Sequence, residues 1–199
     1  LVSPHDPKTI YFAANKVFKS ENRGDDWRVI SSDLTQQIDR NKLKVMNQVW
    51  TMDAVMKNAS TTIYGNIVAL DESPKKKGLL YVGTDDGLIQ VSENDGQTWN
   101  KFATFPGVPV NSRVNMLTAS LHDENVVFAG ATGSAWGPTL DRGVYKTENG
   151  GESWEKVLFV NDSVGCADLV MDPYNSNKLF AAMWQYGRHP WFFNSGGKG

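Results

Sequence analysis

One eight-residue frame occurs three times in this chain of 199 residues, and it limits the folds available more than any other feature. The copies are Ser20-Glu21-Asn22-Arg23-Gly24-Asp25-Asp26-Trp27, Ser92-Glu93-Asn94-Asp95-Gly96-Gln97-Thr98-Trp99 and Thr147-Glu148-Asn149-Gly150-Gly151-Glu152-Ser153-Trp154. Each has a hydroxyl residue, an Asn two on, a Gly two further and a Trp three after that. An alternating, strand-like run precedes every copy: Val17-Phe18-Lys19, Leu88-Ile89-Gln90-Val91 and Val144-Tyr145-Lys146. Asn side chains bond nearby backbone in tight turns, and Gly supplies a positive φ at no steric cost. The Trp then opens the next strand, where its large apolar area can bury against a neighbouring repeat. The frame therefore predicts a repeated hairpin, and repetition at this spacing sets the architecture of the whole chain.

A second repeated phrase, a turn followed by a strand, starts four units. It reads Ser3-Pro4-His5-Asp6-Pro7-Lys8 before Thr9-Ile10-Tyr11-Phe12, and Glu72-Ser73-Pro74 ahead of Leu79-Leu80-Tyr81-Val82. It returns as His122-Asp123-Glu124-Asn125 before Val126-Val127-Phe128-Ala129, and as Asp172-Pro173-Tyr174-Asn175 ahead of Lys178-Leu179-Phe180-Ala181. Further strand candidates lie upstream, at residues 65–70, 114–119 and 166–171. Short β runs split by Gly, Asn, Asp and Pro predict an all-β chain with about four antiparallel strands per unit, the make-up of a β-propeller blade. The units run approximately over 1–30, 61–105, 106–160 and 161–199, the last incomplete, with an insertion at 31–60. That insertion is polar and Gly-free, and reads as a short helical turn over one face. Both lining of a functional face and simple capping suit it.

Charge is near neutral, with Lys+Arg 20 against Asp+Glu 22, so nothing favours nucleic acid or an anionic membrane as partner. Lys75-Lys76-Lys77 reads as a solvated turn. Cys166 is the single cysteine, which excludes an internal disulfide and a cysteine metal cluster; it reads as a small buried residue. No stretch is apolar and long enough to span a membrane, and no targeting leader is visible at Leu1, where the chain already reads like the inside of a repeat.

The octapeptide frame resembles the Asp-box, or BNR repeat, S-x-D-x-G-x-x-W, with Asn22, Asn94 and Asn149 where that family usually has Asp. The turn tolerates this change, but a fixed charge is lost. The resemblance implies the turn between the third and fourth strands of a propeller blade, a structural staple rather than a ligand site. Tyr64-Gly65-Asn66-Ile67-Val68-Ala69-Leu70 and Gly78-Leu79-Leu80-Tyr81-Val82-Gly83-Thr84-Asp85-Asp86-Gly87-Leu88 extend the likeness to large bacterial proteins of the glycosyl hydrolase-like and sortilin (Vps10)-like group. These resemble the later half of such proteins. Ser134-Ala135-Trp136-Gly137-Pro138 through Trp184-Gln185, with Pro190 to Gly197, resembles the earlier half. The reversed order implies a junction of non-adjacent segments near 128–133. It also implies a secreted, periplasmic or cell-surface protein whose open edges need further blades of the same or a partner chain.

Candidate chemistry is sparse. No arginine motif precedes the first box, so a sialidase does not fit. A glycosidase needs two carboxyls across one sugar. Asp85-Asp86 is the most suggestive pair, but adjacent residues in an extended segment point to opposite sides, and a turn ending in Gly87 explains both. His5, His122 and His189 are scattered without metal-ligand spacing, and neither a nucleophile elbow nor a phosphate loop is present. No cofactor or metal is expected. The richest stretch is aromatic: Trp184, Tyr186, Arg188 and Trp191 share one Gly- and Pro-containing segment read as a loop, and Trp136 lies in the corresponding loop of the previous unit. Such rings stack on sugar faces or anchor peptides, and they equally well fill gaps between blades. The resulting expectation is a non-catalytic recognition platform for protein or glycan ligands. The alternative is a glycoside hydrolase acting on polysaccharide through a carboxylate pair on the propeller face.

Overall fold

Four antiparallel sheets follow one another along the chain, and each stacks on the next. The computed structural model describes residues 1–44, 47–55, 64–102, 112–189 and 192–197. The first sheet holds β1 (Ile10–Ala13), β2 (Val17–Ser20) and β3 (Arg28–Val29), with Val2 bridging Ile10 at its inner edge. The second holds β4 (Ile67–Glu72), β5 (Leu80–Thr84), β6 (Ile89–Ser92) and β7 (Asn100–Phe102). The third is β8 (Val114–Ala119), β9 (Val127–Ala131), β10 (Gly143–Thr147) and β11 (Glu155–Leu158). The fourth is β12 (Val164–Met171), β13 (Leu179–His189) and β14 (Phe192–Ser195). Strands pair in chain order throughout, which is the up-and-down meander of β-propeller blades.

Burial follows from the stacking. β5 (Leu-Tyr-Val-Gly-Thr) and β9 (Val-Phe-Ala-Gly-Ala) are buried at every residue, because each lies mid-sheet with a neighbouring sheet on both faces. Three apolar cores fill the gaps between sheets. Tyr11, Val17, Ile30 and Leu80 pack between the first and second, and Tyr81, Val114, Leu117 and Tyr145 between the second and third. Val144, Cys166, Leu169 and Met171 pack between the third and fourth. On the outer faces of the end sheets, Phe12, Val29, Val170 and Phe180 remain exposed.

The octapeptide turns share one hydrogen-bond pattern. In the second, Ser92 Oγ accepts from Gly96 N–H at 2.8 Å and donates to Asn94 Oδ1 at 3.1 Å, and Asn94 Oδ1 accepts from Thr98 N–H at 2.8 Å. Ser20 and Thr147 hold Gly24 and Gly151 in the same way, and Asn22 and Asn149 hold Asp26 and Ser153. The Asn has a further use: Nδ2 donates to the side chain four residues on, which is Asp26, Thr98 or Ser153, at 2.8–2.9 Å. A carboxylate at that position has no proton to give. Besides the glycine, the residue before it (Arg23, Asp95 or Gly150) has positive φ, a demand that Arg23 and Asp95 do not signal by residue type. At Gly96, φ is +85° and an added Cβ would lie 2.6 Å from the Ile30 carbonyl oxygen, so the box seats directly on the preceding sheet.

The tryptophans show what that seating is worth. Trp99 Nε1 donates to Gly96 O and to Ile30 O of the first sheet, and Trp154 is 4% exposed within the second core. Trp27, with no sheet beneath it, is 46% exposed and meets Phe12 edge-on, with ring centroids 6.4 Å apart. At the same end of the sheets, His5 Nε2 donates to Ser73 O at 2.8 Å and His122 Nε2 to Asp172 O at 3.1 Å, so both histidines tie one blade's turn to the next. Asp71, on β4, accepts from Ala119 N–H of the third sheet at 2.8 Å and from Glu72 N–H at 3.0 Å. Burial, reinforced by the Glu72 charge, nonetheless pushes its carboxyl up to about 6.

Two outcomes follow from this packing. Trp154→Ala is expected to cost about 3–5 kcal/mol, as for other buried large-to-small changes, and Trp27→Ala well under half as much; equal losses in urea denaturation contradict the seating argument. For Asp71, the folded chain holds a proton that the unfolded chain releases near 3.8. Its contribution therefore makes stability fall as pH rises from about 4 to about 6, and level off above. Asp71→Asn should flatten that slope in urea midpoints measured across the window, and an unchanged slope removes Asp71 as its cause.

Candidate functional site

Antiparallel strands return their ends to fixed sides, so the first strands begin and the second strands end opposite the boxes. At that side the second sheet has a tight turn at 85–88, while the third has a long loop at 132–142. A buried arginine organises this loop. Arg142 is 1% exposed; Nη1 donates to Thr132 O at 2.8 Å, and Nη2 to Ser134 O at 2.5 Å and Gly137 O at 3.3 Å. Gly133 has φ +70°, and an added Cβ would lie 2.5 Å from both Arg142 Cγ and Thr139 Oγ1, so the loop closes around the guanidinium stem only with Gly there. The fourth sheet anchors the loop's outer side, through Tyr186 Oη donating to Gly133 O at 2.8 Å and Arg188 N–H to Ala135 O at 2.6 Å. The Tyr186 ring also lies 5.0 Å from the Arg142 guanidinium.

A cleft of about 430 Å³ opens between this loop and the second sheet, lined by Tyr64, Asp85, Arg113, Trp136, Asp141 and Tyr186. It brings two carboxyls from adjacent sheets together with three aromatic rings. Asp85 is half-buried, and one oxygen accepts from the N–H groups of Gly65 and Asn66 at 3.0 and 2.8 Å, which sets its orientation and leaves the other oxygen uncommitted to them. Asp141 is 3% exposed, and its Oδ1 has no hydrogen-bond partner among the described residues. Tyr145 Oη donates to the main-chain oxygen of Asp141, not to its carboxyl. Burial and the charges of Asp86 and Asp85 push the Tyr64 phenol up to about 12, so near neutrality it is a hydrogen-bond donor.

The sequence candidates divide. Asp85 reaches the cleft and Asp86 does not. Asp86 is fully buried, with Oδ1 accepting from Thr84 Oγ1 at 2.5 Å and Oδ2 from Gln36 N–H at 2.7 Å, and its carbonyl takes the Gln36 side-chain amide. It pins the start of the 31–60 insertion to the second sheet, where Leu34 is buried in the first core and Arg40–Lys42 forms a 3-10 turn. Trp136 stands 67% exposed at the cleft. Trp184 and Tyr186 stack at 4.4 Å and 14°, and the exposed Arg188 guanidinium lies 5.8 Å from the Phe193 ring. The segment read as a loop is instead strand: Trp184, Tyr186 and Arg188 belong to β13, which pairs with β14 from Tyr186↔Ser195 to His189↔Phe192. The pairing satisfies its backbone, which a loop of bulky rings would leave to water. Trp191 lies outside the described residues. The residues of the octapeptide frame, Ser20, Asn22, Gly24, Trp27, Ser92, Asn94, Gly96, Trp99, Thr147, Asn149, Gly151 and Trp154, are all at the opposite side. Among the described residues, no three His, Cys, Asp or Glu side chains gather to hold a metal ion.

The cleft also takes in Asp141, Tyr64 and Arg113, which the sequence does not mark as site candidates. Asp141 passes for a turn residue, and the only sequence sign of its position is the unusual length between the second and third strands of its unit.

No family model matches the chain. Over 157 residues it is 27% identical to the oligoxyloglucan-reducing end-specific xyloglucanase of Emericella nidulans, covering 78% of this chain and 17% of that protein. An ancestral GH74 enzyme superposes with a TM-score of 0.62 at 18% identity, over 93% of this chain and 22% of its own. The GH74 enzyme of Niastella koreensis gives 0.61 at 18% identity, over 96% and 26%. The structural likeness shows the β-propeller fold, and the chain spans about a quarter or less of the length of these relatives. The expectation of a non-enzyme is corrected by this finding, because the sequence relative and both solved structures are glycoside hydrolases. Asp85 and Asp141 line one cleft although they lie in different blades, so adjacency in sequence does not reveal their meeting.

Asp86→Ala is expected to cost about 1–3 kcal/mol by removing a buried acceptor from the Gln36 N–H and the Thr84 hydroxyl, and to speed hydrogen exchange at Gln36. Unchanged protection at Gln36 contradicts the pinning role.

Proposed function

We propose that this chain forms part of a propeller glycoside hydrolase acting on a polysaccharide, with Asp85 and Asp141 as its carboxyl pair. One observation carries the reading: two carboxyls from adjacent blades and the rings of Tyr64, Trp136 and Tyr186 line a single cleft. Glycoside hydrolysis needs one carboxyl to protonate the leaving oxygen and a second to act as nucleophile or to activate water. Aromatic faces hold sugar rings between the two by stacking. Asp85 is held in orientation by two backbone donors, and Asp141, buried in the cleft wall, keeps an oxygen that no donor among the described residues occupies. Arg113, exposed at the rim, is placed to donate to sugar hydroxyls.

The relative with 27% identity supports xyloglucan, a branched polysaccharide, as the first substrate to test. A polymer of that size does not cross membranes, which places the proposed activity outside the cell. The octapeptide turns are read as Asp-boxes on the strength of their shared bonding. The exposed faces around Phe12 and Phe180 are read as seats for further blades, which would bury them as the three internal cores bury theirs.

With xyloglucan and a reducing-end assay on the full chain, Asp85→Asn and Asp141→Asn should each lower kcat by about 10²–10⁴-fold, the range for general acid–base groups. Each should leave the melting temperature nearly unchanged, since in Asp85→Asn the side-chain amide oxygen can still accept from Gly65 and Asn66. Wild-type turnover in either variant sinks the assignment of that residue.

A further inference from the structure

A second cavity, of about 160 Å³, adjoins the cleft on the other side of the 132–142 loop, and shares Ala135, Trp136 and Tyr186 with it. Arg142, Ser163, Gln185, Arg188 and Asn194 supply its polar wall, and no Asp or Glu among the described residues lines it. Arg142 is a buried cation with no carboxylate partner among the described residues; its Nη atoms rest on three carbonyls, and its Nε has no acceptor among them. Asp141 is adjacent in sequence, yet it lines the larger cleft and forms no ion pair with Arg142. Burying an unpaired charge is expensive, and carbonyl dipoles offset only part of the cost. Arg188 adds a second guanidinium at the rim, and guanidinium groups bind carboxylates through paired N–H donors. The volume is below the roughly 300–1,000 Å³ of sites that enclose a whole drug-sized ligand, so it fits a substituent rather than a chain of sugars.

We infer that this cavity binds the carboxylate of an acidic sugar substituent, so that the saccharide held in the neighbouring cleft carries a uronic acid. The inference rests on reading that cleft as a saccharide site. It adds a substrate class that the aromatic cleft, with Asp85, Asp141 and Arg113 on its wall, does not itself specify. Arg188 closes on one carboxylate oxygen from the rim, and Ser163 and Asn194 complete the polar wall around the group.

Methyl glucuronide and methyl glucoside, titrated into the full chain and followed by saturation-transfer and chemical-shift NMR, test it apart from any hydrolysis. The glucuronide should bind about tenfold or more tightly than the glucoside, the effect of one charge-assisted hydrogen bond. Added salt should narrow the gap, and Arg188→Gln, an exposed change that spares the loop's internal bonds, should abolish it. Equal binding of the two glycosides overturns the inference, as does a preference that survives Arg188→Gln. Glucuronide binding without hydrolysis of any polysaccharide leaves the inference standing and counts against the hydrolase. Hydrolysis of xyloglucan with no preference for the glucuronide does the reverse.

Discussion

Face-to-face packing of successive sheets is the contact on which the rest of this molecule depends. A three- or four-stranded sheet of this size is marginal alone, because one face would expose its apolar residues to water. Here β5 and β9 are buried on both faces, and that requires a blade on either side. At one end of the sheets, the contacts between blades serve this stacking. Trp99 and Trp154 seat on the preceding blade, His5 and His122 bond the turn of the following one, and Asp71 reaches across from β4 to β8.

The two sides of the stack are built under different rules. At the box side the same short motif repeats three times, its bonds are satisfied within eight residues, and little is left for a ligand. At the other side the connections differ from blade to blade. A tight turn in the second sheet buries Asp86 and presents Asp85, while the long loop of the third wraps Arg142 and leaves Asp141 without a partner for Oδ1 among the described residues. Unpaired buried polar groups are costly, and two of them, Asp141 Oδ1 and Arg142 Nε, sit side by side in this long loop.

Much of the fold was legible without coordinates. The hydroxyl–Asn–Gly–Trp frame encodes a turn through contacts no more than a few residues apart, and the alternating runs before it encode strands through side-chain period. Even there the residue types understated the case: the second left-handed position at Arg23 or Asp95 and the second bond of each Asn come from the turn's geometry alone. The aromatic stretch at Trp184 to Arg188 misled in the other direction, because Gly187 and Pro190 read as loop residues, whereas pairing with β14 overrides that local preference.

The cleft was not legible, for a physical reason. Asp85 and Asp141 each have an ordinary local explanation as turn residues, and no periodicity links them. They meet only because stacking sets the 85–88 turn of one blade beside the 132–142 loop of the next. Likewise, Asp86 and Asp85 are chemically the same residue in adjacent positions, and it is the arrival of Gln36 from the insertion that commits one to the interior. Turn and strand identity were thus set by short-range chemistry, while the partners of each carboxyl and guanidinium were decided by which blades came to lie together.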